Sequence, residues 1–207
     1  MPDEPAALAV QVAARWFEFA APATLGEFVD WSGFGKRDAA AAVAALKLKA
    51  VTVEGFSEPL LGPAAVMGAL TEAHAIEPTI DLLPAADNLY ALRSSPVPLI
   101  DPAHLDRVVD SWGRGQRALA DSAYLHARMV REGEQLIGAW DWDPDAEAIF
   151  AKAFAPLAGD RAARFDAAVS DLSGFVKAAF GHGRNTSIDS AKAQRARVAS
   201  LHADARA

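Results

Sequence analysis

TLGEFVDWSGFGKRDAAAAVAALKLKAVTVEG, residues 24–55, carries two helix signals, a glycine turn and the start of a hairpin. Thr24 is an N-cap residue, and Glu27, three positions on, completes a capping box. A short helix therefore starts at Leu25 and runs through Phe28, Val29 and Trp31. Ser32-Gly33-Phe34-Gly35 is a tight turn. A second helix over roughly 36–47 turns Val43 and Leu46 inward among its alanines, which favour helix strongly. Val51-Thr52-Val53 then alternates like a strand, and Glu54-Gly55 can turn the chain back toward Leu60-Leu61.

Working outward, residues 5–20 place Leu8, Val12, Trp16 and Phe19 at helical spacing, and Pro22 ends that helix. Helix, short helix, glycine turn, helix and hairpin is the order of a winged helix-turn-helix module, expected over 1–76. In such a module the helix after the turn projects outward, and the hairpin lies beside it. Lys36, Arg37, Lys47 and Lys49 cluster over 36–49 against a single acid, Asp38. They are the candidate DNA contacts, with a solvated helix face as the plainer alternative.

Beyond residue 62 the chain reads as a helix over 63–76, a strand at Ile80–Leu83 closed by Pro84, and a helix from Asp101-Pro102 to about 113. The period then changes to two. Tyr124 to Val130 alternates, Glu132-Gly133-Glu134 turns, Gln135 to Trp142 returns, and Ile149 to Phe154 supplies a third strand. A long helix over 161–180 stops at Gly181 and Gly183, and a last helix with a basic face spans 189–202. The fold class is α+β: a winged helix followed, over 77–207, by a small antiparallel β-sheet or barrel-like domain flanked by helices.

The 207 residues are 52% hydrophobic and 23% charged, ordinary for a globular chain. With no cysteine, disulfides and thiolate metal sites are excluded, which fits a cytoplasmic setting. Asp3 and Glu4 precede any apolar run, so no signal peptide is expected, and no stretch is long and apolar enough to span a bilayer. The net charge of −7 argues against DNA binding by the whole surface and leaves room for a local basic patch. No P-loop, dinucleotide fingerprint or nucleophile elbow is present, so no cofactor is expected.

Three stretches together resemble one family, the AlkZ/YcaQ-like DNA glycosylases. They are Arg15-Trp16-Phe17 with APATLGEFVDWSGF at 21–34, DLLPAADNLYALRSS at 81–95, and REGEQLIGAW at 131–140. The resemblance implies winged-helix modules joined to a small barrel-like domain, binding of double-stranded DNA, and excision of alkylated or crosslinked bases. In the second stretch Arg93, after Asp87, is a fifth candidate contact, with an ion pair to Asp87 as the plainer role. The family's catalytic group is a Gln-x-Gln or Gln-x-Asp motif in a segment expected to precede this chain. The glutamines here, Gln11, Gln116, Gln135 and Gln194, form no such pair, and no catalytic residue is carried over. The expectation is a DNA-binding relative without catalysis of its own. The alternatives are a divergent glycosylase using an acid such as Asp87, and a module for a protein partner or a second copy.

Four further features have plain readings. Asp141, Asp143, Asp145 and Glu147 alternate like a calcium loop. Ala146 stands where the loop needs glycine and Lys152 where it needs glutamate, so a solvated acidic turn is expected and no metal. His74, His104, His126, His182 and His202 lack metal-ligand spacing. Gly181-His182-Gly183-Arg184 fits a helix stop as well as an anion cradle, and Trp140 and Trp142 share one strand face.

Overall fold

The computed structural model describes residues 4–54, 56–70, 78–85, 87–88, 95–111, 115–121, 127–184 and 186–203. The chain is α+β and divides into two compact units, Met1–Ala75 with Ala91–Ser94, and Ile76–Tyr90 with Ser95–Ala207.

In the first unit, α1 (Pro5–Ala20), α2 (Leu25–Ser32) and α3 (Lys36–Ala44) are followed by β1 (Lys49–Val51), β2 (Leu60–Gly62) and α4 (Ala64–Ala69). The capping box forms: Glu27 N donates to Thr24 Oγ1 at 3.0 Å, and Thr24 N donates to Glu27 Oε2 at 2.8 Å. Gly33, at φ 68°, ends α2 with its N–H on the Val29 carbonyl, a left-handed position that favours glycine. β1 and β2 pair antiparallel, Lys49 opposite Gly62. Ala23 adds a short third segment, exchanging two backbone hydrogen bonds with Leu61 at 3.0 and 2.7 Å.

The buried face of α1 differs from the expected Leu8, Val12, Trp16 and Phe19. Ala13, Trp16, Phe17 and Ala20 are buried, whereas Leu8 is 49% and Phe19 77% exposed. The stripe was shifted because alanine carries little weight in a hydrophobic pattern. Here Ala13 and Ala20 share a core with Ala39 and Ala42 of α3, and small side chains at a helix contact allow close approach. Trp16, Phe17 and Phe28 fill the rest, with ring centroids 4.8 to 5.9 Å apart.

The second unit contains β3 (Ile80–Leu83), β4 (Val108–Ser111), β5 (Gly115–Ala118), β6 (Met129–Glu132), β7 (Gln135–Asp143) and β8 (Ala148–Ala153), then α5 (Gly159–Phe180) and α6 (Ala191–Ala203). β3-β6-β7-β8 form an antiparallel sheet, and β4 and β5 a separate hairpin. Among the described residues the four-stranded sheet is open, with β3 and β8 at its edges.

The helix expected from Asp101 ends after one 3-10 turn, Pro102–His104, although Asp101 caps it by accepting from Ala103 N at 2.8 Å. Val108-Val109 then enters β4, where β-branched residues suit the pleat better than a helix. The first strand of the period-two region is Met129–Glu132 instead of 124–130; its expected start at Tyr124 lies outside the described residues.

A β-bulge decides the two faces of β7. Val130 opposes Gly138 and Arg131 opposes Leu136, so Ile137 is an extra residue on β7 relative to β6. Leu136 and Ala139 consequently join one core, with Met129, Leu119 and Phe154. Ile137, Trp140 and Trp142 join another, against Phe165 and, partly buried, Val169 and Leu172 of α5. Helix α6 packs on β7 and β4, and its Leu201 reaches the first of these cores.

Candidate nucleic-acid interface

The cationic residues of the first unit follow from how α3 meets its core. Ala39, Ala42 and Val43 are buried, so Arg37, Ala41, Ala44 and Ala45 face outward. Lys36 and Arg37 stand exposed on the first turn. The Arg37 side chain is 97% exposed, with Nε 3.7 Å from Asp38. The nine-residue helix stops at Ala44, short of the expected 47. Lys47 then takes a left-handed backbone, φ 52°, and Lys49 opens β1, both exposed. The two cation pairs are thus separated by the length of α3, about 13 Å at 1.5 Å per residue. The outward face between them is alanine. Arg93 lies outside the described residues, so only Lys36, Arg37, Lys47 and Lys49 of the five candidates have a described place.

The most developed arrangement of charge sits in the second unit, and little in the sequence points to it. Asp141, expected in a solvated turn, is 3% exposed. Arg128 Nη1 donates to Asp141 Oδ1 at 2.6 Å, and Arg197 of α6 donates from Nε to Asp141 Oδ2. Arg197 Nη2 also donates to both oxygens of Asp189, at 3.0 and 3.1 Å. Gln194 Nε2 stands 3.5 Å from Asp189. Arg128 Nη2 donates to the Gly183 carbonyl at 2.6 Å, and its guanidinium carbon lies 5.0 Å from the Trp140 ring centre. Burial pulls the Arg128 pKa down, with Asp141 acting the other way. Burial also acts to lower Arg197, but the bonds to Asp141 and Asp189 prevail and hold it above its ordinary value. Arg128, Trp140, Asp141 and Arg197, with Asp110 and Leu201, line a cavity of about 20 Å³, room for little more than a water. Burial raises the pKa of Asp110; Arg197 opposes the rise and Asp141 adds to it.

The remaining acids of the alternating run do not converge on a metal. Asp143 Oδ1 accepts from the backbone N–H of Asp145 at 2.9 Å, Asp145 pairs with Arg195 at 2.7 Å, and Glu147 pairs with Lys177 at 2.9 Å. Gly181 closes α5 at φ 69°. Gly183 fits against Trp142 so closely that a Cβ there would fall 2.7 Å from Trp142 Cδ2 and nearer still to its Cγ. The glycine pair therefore stops a helix and admits an indole. Trp140 and Trp142 are both buried, with Trp140 Nε1 donating to the Leu83 carbonyl at 3.0 Å, so neither offers a stacking surface. Among the described residues, no helix is long and apolar enough to cross a membrane.

The chain is thus α+β, with helices and small antiparallel sheets, and it exposes lysine and arginine at both ends of α3. Residues 2–175 match the family model described as DNA glycosylase AlkZ-like, and the chain belongs to that family. The solved structure of the Streptomyces sahachiroi DNA glycosylase AlkZ aligns with a TM-score of 0.61 at 20% identity, over 84% of this chain and 45% of that one. The chain therefore spans less than half the length of that structure, and the likeness is one of fold. No curated protein matches. The family match ends within α5, so Asp189 and Arg197 lie beyond it.

Proposed function

We propose that residues 1–76 form a winged helix-turn-helix that binds double-stranded DNA through Lys36, Arg37, Lys47 and Lys49, followed by a second domain over 77–207. The chain then serves DNA repair in the cytoplasm as a binding member of its family and does not hydrolyse a glycosidic bond by itself. The observation that carries this reading is the pair of exposed cation clusters at the two ends of α3, in a chain of a DNA glycosylase family. The lack of a Gln-x-Gln or Gln-x-Asp pair supports the second half of the reading.

Fluorescence anisotropy with a short duplex, plain and alkylated, tests it across a salt series. Each neutralised phosphate contributes about 0.9 to the slope of log affinity against log salt, so four cations give a slope of roughly −3 to −4. Lys36→Ala with Arg37→Ala brings the slope to about −2 and weakens binding to every duplex alike. Arg93→Ala asks the same of the fifth candidate. Flat anisotropy at the lowest salt overturns the reading.

A protein partner is the second reading, favoured by exposed apolar side chains. Phe175 and Phe180, 58% and 62% exposed, pack edge to face at 5.8 Å, and Ile188 is 79% exposed. Single exposed apolar residues such as Ile188 are ordinary, but an exposed pair in contact, like Phe175 with Phe180, favours an interaction surface. A chain that leaves DNA free yet sediments as a dimer supports this second reading.

A further inference from the structure

The connection between β1 and β2 carries charge of the opposite sign to the hairpin's base. Lys47 and Lys49 lead into β1, whereas Glu54 and Glu58, both exposed, lie between the strands. Glu58 also has a fixed place. Its Oε2 accepts from the Gly26 N–H at 3.3 Å, in the first turn of α2 beside the Thr24 cap. Both Glu58 oxygens stand within 3.6 Å of the position a Gly26 Cβ would take. Backbone amides at a helix start are donors that a phosphate oxygen can use. In this chain the Gly26 donor is already held by the protein's own carboxylate.

We propose that this connection is a repulsive element: Glu54 and Glu58 hold the hairpin off the phosphate backbone and confine duplex contact to α3 and the hairpin's base. The inference rests on the DNA-binding reading above and refines it. A duplex carries one negative charge per roughly 1.7 Å of its axis, so an acidic loop beside it meets several phosphates at once. The outward face of α3, alanine between its two cation pairs, offers no Asn or Gln and no arginine past the first turn to read base edges. Affinity is then set by the balance of these three lysines and one arginine against the two glutamates, and binding is indifferent to sequence.

The test compares the full chain with Glu54→Gln/Glu58→Gln and with a control pair in the second unit, Glu134→Gln/Asp171→Asn, which changes net charge equally. Glutamine retains an acceptor for the Gly26 N–H, and unchanged thermal unfolding checks that the hairpin persists. At about 0.05 M salt the Glu54/Glu58 variant binds a plain duplex at least about threefold tighter, and the gain shrinks toward 0.2 M as the exposed charges are screened. The control pair leaves affinity unchanged. Wild-type binding with no gain in the variant, or an equal gain in the control, overturns this inference alone. Failure of all three chains to bind at low salt overturns the DNA reading. A preference above about tenfold among unrelated duplexes overturns the sequence-blind part.

Discussion

Replacing Arg197 by alanine removes a cation that faces two buried acids. Its side chain is 10% exposed, that of Asp141 5%, and that of Asp189 fully buried. The substitution leaves Arg128 to balance both, 2.6 Å from Asp141 and 3.7 Å from Asp189. Removing one partner of a buried ion pair costs about 3–5 kcal/mol, because the charge left behind stays desolvated. Urea unfolding followed by tryptophan fluorescence reads this as a lower midpoint at unchanged slope. Asp189→Asn in the same background removes one of the stranded charges and recovers about 1–2 kcal/mol, whereas in the wild type it is destabilising. That reversal of sign is the diagnostic result. A loss under about 1 kcal/mol for Arg197→Ala, or the same effect of Asp189→Asn in both backgrounds, refutes the idea that the four groups act as one unit.

Gly183→Ala forces a methyl group into the Trp142 indole and is expected to cost about 2–3 kcal/mol, visible in the same unfolding assay; a neutral result means the 181–190 connection shifts freely. Asp110→Asn removes a carboxylate whose pKa is raised in the folded state, chiefly by burial. For such a group the wild type is most stable below the unfolded carboxylate pKa and loses that contribution as pH rises through the folded value. The variant should therefore melt above wild type at pH 7, and the difference should shrink as pH falls into the carboxylate range, measured by thermal unfolding across that range.

The elements of the first unit were largely legible because their signals are local. A capping box, a glycine turn and an alternating strand each lie within a few residues, and Thr24, Glu27 and Gly33 act as their spacing implies. The buried face of α1 is not legible in the sequence because alanine-to-alanine packing leaves no hydrophobic pattern. In the second unit Ile80–Leu83 and Gln135–Asp143 were visible as strands, but Val108–Ser111 and Gly115–Ala118 were missed behind a valid cap and proline. The charge cluster could not be seen at all. Arg128, Asp141, Asp189 and Arg197 come from separate elements, and the only clue was an acid inside an otherwise apolar strand.

The extra residue in β7 has a further consequence for how this unit can change over time. The side chains after Ile137 keep their facing because the bulge takes up that one extra residue. Were the strand to run regularly through the same residues, Trp140 and Trp142 would exchange sides with Ala139 and Asp141, sending a carboxylate into an apolar layer and two indoles toward α6. Substitutions along the strand are local events, but a one-residue change of length that no bulge absorbs inverts a whole surface. The bulge is thus a place where this strand can change length without reversing, and a relative that lacks both Ile137 and the bulge can keep its α6 arginine on the same partner.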